Sequence, residues 1–303
     1  MPNKLWLRAA ILLLIGVCVE CWFNLGKLAE RSTIISSSSR LHMADEMTEI
    51  KKAAEEFLDN VESGVQAVSN FVEERRPLKT ALLGVAARSV RGEFASEEDR
   101  THARELVSKL EALNPTQDPA SSELTKGKWE LVYCNTYPFR ASPFFMAARA
   151  VCRDGEQVGR FNTFCDLHRQ ALAFSSIGKV TQVITNKQLV SEVETNGAVL
   201  PGLPIVVKGT IQSAADIEDF SNSTIYFQMD KVRIKSGTSN VPLLKEFLDG
   251  FSGLSIKQLG DFLEQRVSGY TNPMPGMNVT YVDAHMRISR DQDNNIFVFN
   301  RIA

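Results

Sequence analysis

Two strand-like blocks at opposite ends of the C-terminal part of this chain constrain its fold more than any other feature. The first is Gly127-Lys-Trp-Glu-Leu-Val-Tyr133. The second is Tyr281-Val-Asp-Ala-His-Met-Arg-Ile-Ser-Arg290, followed by Ile296-Phe-Val-Phe-Asn-Arg301. A Gly-x-Trp opening strand and a closing arginine-bearing hairpin bracket mostly β-like sequence, as the first and last strands of a closed antiparallel barrel do. Barrels of this size enclose one small apolar ligand more often than they carry chemistry.

Further strands are expected at 179–185, 188–195, 204–213, 223–235, 277–289 and 295–302, with 128–134 opening the series. Asn186-Lys187 and Asn294-Asn295 sit at hairpin turns. Trp129, Leu131 and Tyr133 alternate with Lys128 and Glu130, which puts one apolar face inward. Near the end, Val282, Ala284, Met286 and Ile288 form one face and Asp283, His285, Arg287 and Ser289 the other, the pattern of a half-buried strand.

Helical spacing interrupts and precedes the strands. From Met47 to Val72, apolar residues recur at Ile50, Ala54, Phe57, Leu58, Val61, Val65 and Val68, opposite Glu55, Glu56, Asp59 and Glu62. This predicts an amphipathic helix that packs on the main body. A coiled coil or a membrane-surface helix is the alternative, and the acidic polar face does not favour anionic lipid. Ser96 is an N-cap with Glu97, Glu98 and Asp99 in the first turn, and Ala103, Leu106, Val107, Leu110 and Leu113 make one stripe that Asn114-Pro115 ends. Ala141 to Val151, Phe161 to Phe174 and Leu243 to Val267 read as apolar helices or lids.

The N-terminus reads as an address. Lys4 and Arg8 precede the apolar run Ala9 to Val19, which Glu20 ends; the run falls short of the ~20 residues that span a bilayer. Residues 24–43 are rich in serine, carry Lys27, Arg31 and Arg40, and hold one acid, Glu30. A secretory signal followed by a transit-like stretch resembles the bipartite presequence of algae with complex plastids; a signal anchor with a low-complexity linker is the alternative. The expected organisation is a presequence over 1–43, a helix over 44–76, and a main domain over 77–303 with helices at 77–114 and a barrel over 126–303. Five basic residues against two acids before residue 44, in a chain of net charge −2, leave a mildly acidic remainder. That argues against nucleic acid as a partner. Removal of Cys18 and Cys21 would leave Cys134, Cys152 and Cys165, an odd set without metal-site spacing.

At the anchor residues the chain resembles the plastid lipid-associated proteins, or fibrillins. The resemblance is carried by Leu82-Leu-Gly-Val-Ala-Ala, Arg91-Gly92, Ala95-Ser-Glu-Glu-Asp-Arg100, Leu110-Glu-Ala-Leu-Asn-Pro115, Gly127-Lys-Trp-Glu-Leu-Val-Tyr133 and the closing hairpin. It spans residues ~78 to 303 in the correct order. The resemblance implies a mainly β fold, a lipocalin-like antiparallel barrel preceded by N-terminal α-helices, at thylakoids or plastoglobules. It implies the binding or organising of prenylquinones, carotenoids and other apolar lipids, by peripheral rather than spanning membrane association, with no cofactor. The Phe-rich segment Tyr137 to Ala150 and the extension Met1 to Arg76 depart from it.

The candidate ligand-binding residues are Trp129, Leu131, Tyr133, Phe144, Phe145, Met286 and Arg301. For Trp129 the alternative is plain core. Arg301 is placed to stack on Trp129 and close the barrel base by cation–π contact, with Arg287 and Arg290 as competitors. Phe144, Phe145 and Met146 either line a mouth or form an ordinary buried helix. A catalytic reading draws on Cys165, Asp166 and His168, or on Asp283 with His285. Neither has a nucleophile, base and orienter from separate elements, and no known hydrolase or nucleotide fingerprint is present, so an enzyme is not expected. Asp291, Asp293, Asn294 and Asn295 read as a turn rather than a calcium loop.

Overall fold

Alternating apolar residues build the strands, and their pairing closes them into a ring. The computed structural model of the chain describes residues 37–171, 175–198, 206–239, 254–266 and 271–302. The elements are α1 (Ser37–Arg88), α2 (Glu97–Ala112), β1 (Gly127–Cys134), α3 (Pro143–Ala150), α4 (Gly155–Ala171), β2 (Ser175–Ile184), β3 (Gln188–Ala198), β4 (Val206–Ser221), β5 (Thr224–Ser239), β6 (Leu254–Ser255), α5 (Ile256–Arg266), β7 (Gly276–Val282), β8 (Met286–Arg290) and β9 (Ile296–Arg301). The sheet runs β4-β3-β2-β1-β9-β8-β7-β5, and β4 also pairs with β5. These eight strands therefore close an antiparallel barrel, with β6 a short addition on β5 at Lys231 and Val232. The mainly β, lipocalin-like barrel with preceding helices is the architecture expected from the sequence.

The chain divides into two compact units, Met1–Asn70 and Phe71–Ala303. In the first, the described part of α1 carries Phe57 at 65% exposure. The expectation that this helix packs on the main body concerns a relation between the units, and the presequence over 1–43 falls almost wholly outside the described residues.

Three strand expectations need correction. The run 277–289 is a hairpin, not one strand. Asp283 Oδ1 accepts from the backbone N–H of His285 and Met286 at 2.9 Å each and turns the chain between β7 and β8. The second correction is that the hairpin is buried on both faces rather than half-buried. Met286 and Ile288 face helices, while Arg287 and Ser289, both at 0% exposure, face the barrel interior. The third is that β4 runs to Ser221 and β5 to Ser239, well beyond the ends expected near 213 and 235. Of the expected helix over 243–267, residues 240–253 lie outside the described residues, and the remainder forms β6 and α5.

The helices cover one outer wall. Leu82, Val85 and Ala86 of α1 and Leu106, Val107 and Leu110 of α2 pack with Tyr133, Tyr281, Met286, Ile288, Ile296 and Val298. Local chemistry fixes α2 in place. Ser96 Oγ caps it by accepting from Asp99 N at 3.1 Å. Past its end, Asn114 Oδ1 accepts from Val282 N at 3.2 Å, and Thr116 donates to Val282 O at 2.9 Å. Arg290 of β8 clasps Glu111 through Nε at 2.8 Å and Nη2 at 2.9 Å. Between α1 and α2, Gly92 has φ +90, and a Cβ there would lie 2.0 Å from Cys134 O. Only glycine lets this turn approach β1 closely enough for Cys134 N to reach Arg91 O at 3.0 Å.

Candidate ligand-binding site

Cross-strand partners share a face, so the register identifies what lines the barrel. Arg301, Trp129, Gln182, Ser191 and Ser213 are successive partners from β9 through β1, β2 and β3 to β4. Trp129, Gln182 and Ser191 are each 0% exposed. Beside this row, Leu131, Val180, Ile184, Leu189, Phe227, Met277, Val279, Phe297 and Phe299 fill the interior. The lumen is thus apolar with one polar belt.

Trp129 is the centre of the barrel floor. Its Nε1 donates to Thr125 O at 2.9 Å. The Arg301 guanidinium lies over its ring at 4.2 Å, the cation–π contact expected for the closing strand. Arg301 is held by three carbonyls, donating to Ala284 O at 2.9 Å, Lys126 O at 2.9 Å and Leu124 O. Gly127, at φ +122, makes room for it, since a Cβ there would sit 2.5 Å from Arg301 Nη1. The Gly-x-Trp pair and the final arginine are therefore one structure: glycine admits the guanidinium that covers the indole.

Arg287 joins this floor. Its guanidinium lies 4.3 Å from the Phe299 ring and 5.3 Å from the Trp129 ring, and Nη2 donates to Gln182 Oε1. Gln182 in turn donates to Ala141 O at 2.7 Å, linking the belt to the turn that leads into α3. Burial, reinforced by the charge of Arg301, pushes the Arg287 guanidinium down to about 9, so it remains protonated at neutral pH.

Helix α3 closes one end. Ser142 caps it, Pro143 starts it, and Met146 and Ala147 enter the interior cluster against β3, β4 and β5. Phe144 is half-buried between the interior and an outer aromatic group, and with Ala147, Val151, Met229 and Ile256 it lines an apolar cleft of about 120 Å³.

The candidate residues separate accordingly. Trp129, Leu131 and Arg301 belong to the floor and lumen, and Phe144 to the cleft. Tyr133 and Met286 turn away from the lumen into the helix-facing cluster. The register slips by one residue between Leu131 and Tyr133 in β1 and between Val279 and Tyr281 in β7. Each bulge reverses which side chains face in. Phe145 lies in the outer group with Phe139, Phe161 and Cys165. Gln182, Ser191 and Ser289 are interior residues that pattern reading passed over, because polar positions on a strand are taken as solvent-facing, whereas Arg287 was named as a competitor of Arg301 for the Trp129 ring and lies 5.3 Å from it. Their signal was the i, i+2 spacing of Arg287 and Ser289 beside an equally apolar alternate face.

The residues of the catalytic reading occupy structural positions. Cys165 is buried, which pushes its thiol up. His168 is held among Phe139, Phe145 and Phe164, with ring centroids 4.7, 5.3 and 6.0 Å away, and burial lowers its pKa. Asp166 accepts from Tyr137 Oη at 2.8 Å. A polar groove of about 460 Å³ runs past these residues, and in its lining Arg169 pairs with Glu93, and Arg140 with Asp293 at 2.6 Å. His285 is exposed, and Asp283 serves the hairpin and an ion pair with Lys79. Asp291 closes the β8–β9 turn on Asn295, and Asp293 is bound by Arg140 and Arg149.

No helix among the described residues is long and apolar enough to cross a membrane. Comparison with known proteins agrees with the resemblance read from the sequence. The chain is 40% identical over 75 residues to "Probable plastid-lipid-associated protein 5, chloroplastic" of Arabidopsis thaliana, a match covering 23% of this chain and 32% of that protein. The chain thus spans about a third of the length of the curated relative it matches. No solved structure matches. The family model PAP_fibrillin matches residues 76–300, from the last turns of α1 to the closing strand, and the chain therefore belongs to the PAP_fibrillin family of plastid lipid-associated proteins.

Proposed function

We propose that this protein is a non-enzymatic plastid protein that takes an apolar lipid, of the prenylquinone or carotenoid kind, into its barrel at thylakoid or plastoglobule surfaces. The observation that carries the reading is the closed barrel with an apolar lumen, ending in a cleft beside α3. The chloroplastic relative and the transit-like N-terminus support the compartment, and the bipartite presequence over 1–43 is part of the proposal. The cleft is smaller than a lipid, so entry requires α3 and the flexible side chains of Met146 and Met229 to repack. The test is fluorescence of Trp129 in the full chain carrying Trp6→Phe and Trp22→Phe, titrated with plastoquinone and β-carotene against a detergent-micelle control. Saturable quenching at one ligand per chain is expected; its absence for both lipids sinks the carrier reading.

A second reading, a coat on lipid bodies with no enclosed ligand, is favoured by one observation. Phe164 and Leu167 share a face of α4 and are exposed at 47% and 59%. Replacing both by Asp abolishes binding to lipid droplets if this face docks, and leaves the Trp129 titration unchanged.

A further inference from the structure

Among the described residues, Arg287 is a buried cation with no anion. It has no ion pair there, and the charge that acts on it is that of another cation, Arg301, whose own acceptors are neutral carbonyls. The aromatic rings engage its flat faces, and Gln182 takes one donor. Its Nε–H and Nη1 protons have no acceptor among the described residues. Neither do the hydroxyls of Ser289, two residues along the same strand face, and Ser191, the cross-strand partner of Gln182. All three side chains are 0% exposed. Taking a guanidinium out of water is costly unless charge and hydrogen bonds compensate it, and here the rings and one amide do so only in part. By contrast, the guanidiniums of Arg140, Arg149, Arg169 and Arg290 each meet a carboxylate.

We propose that Arg287, with Ser289 and Ser191, receives the carboxylate of a long-chain fatty acid whose tail lies among the apolar side chains that fill the interior, which repack to admit it. The chemistry fits. A carboxylate accepts at two oxygens, as the free guanidinium and hydroxyl protons require, and its charge offsets that of Arg287. The lipid is then an amphiphile, read by its head in the polar belt and by its length in the lumen. This inference rests on the carrier reading above and specifies the ligand's head.

The test titrates the full chain carrying Trp6→Phe and Trp22→Phe with oleate, oleyl alcohol, lysophosphatidate and plastoquinone, with Trp129 as reporter. The expected order places oleate at least tenfold tighter than oleyl alcohol and than lysophosphatidate. Arg287→Met removes that preference, bringing oleate affinity to that of oleyl alcohol in the same variant. A buried unpaired cation replaced by an apolar side chain of similar length is also expected to leave the melting temperature unchanged or raise it. A measurement free of substitutions uses [1-13C]oleate: bound beside a guanidinium, its carboxyl signal stays that of the anion at a pH where free oleate protonates. Equal affinity for oleate and oleyl alcohol, tighter binding of lysophosphatidate, or a bound carboxyl that titrates like the free acid each overturns the proposal. If plastoquinone binds and oleate does not, the carboxylate site fails while the carrier reading stands. If none of the four lipids binds, the carboxylate site fails, and the β-carotene titration above decides the carrier reading.

Discussion

At the residue scale, single side chains decide whether the barrel floor and its hairpin hold. Gly127 combines a left-handed backbone with close approach to Arg301. Gly127→Ala is therefore expected to cost about 1–3 kcal/mol in urea unfolding and to change the near-ultraviolet circular dichroism of Trp129, because strain and a displaced guanidinium act together. Asp283 sits in a harder balance. Burial on its own would raise its carboxyl, but hydrogen bonds from Lys79, Tyr281 and the backbone N–H groups of His285 and Met286 outweigh that and hold it below 3.8. A depressed carboxylate adds stability that is present above the unfolded pKa and is lost as pH falls through the folded one. Asp283→Asn should thus cost about 1–3 kcal/mol at neutral pH, with the difference from the native protein shrinking below about pH 4, as unfolding at a series of pH values will show. Asp283 could be read as a turn residue from its type, but its ion pair with Lys79, far away in sequence, could not.

At the element scale, α2 is the part most legible beforehand. Its cap, acidic first turn, apolar stripe and Asn-Pro stop are all local, and the structure repeats them with Ser96 bonded to Asp99 N. Ser96→Ala is expected to lower stability by about 1 kcal/mol in thermal or chemical unfolding. Helix α4 behaves differently, because its character comes from what it packs against. His168 is kept largely neutral by burial among three phenylalanines. With a folded pKa below 6.5, the unfolded chain binds more protons in the interval between the two values, so stability rises with pH there and falls on acidification. His168→Phe should flatten that slope below about pH 6.5, measured by urea unfolding. The near neighbours Cys165 and His168 invited a catalytic reading by sequence spacing alone. Helical geometry instead put one under the aromatic group and the other within it.

At the scale of the whole molecule, closure depends on pairings that no local signal carries. Strands β4 and β5 meet along almost their entire lengths, and β1 meets β9 across the chain's long middle. The unit Phe71–Ala303 contains both the interior cluster and the helix-covered wall. A protein comprising residues 71–303 is accordingly expected to unfold in one cooperative transition, with a melting temperature within a few degrees of the full chain's. Separate transitions for the helices and the barrel would contradict a shared core on that wall.

The sequence by itself determined the family, the mainly β class, the two ends of the barrel and the cap and stop of α2. These rest on residue type, short-range periodicity or motif order, which survive without knowledge of any distant partner. Only the tertiary structure decided which face of each strand is the inside. Bulges after Leu131 and Val279 reverse the alternation within a strand, and a second layer of helices lets apolar Met286 and Ile288 face outward while Arg287 and Ser289 turn inward. Burial on both faces removes the solvent reference from which inside and outside are read, so the polar belt of the lumen became visible only once the barrel had closed.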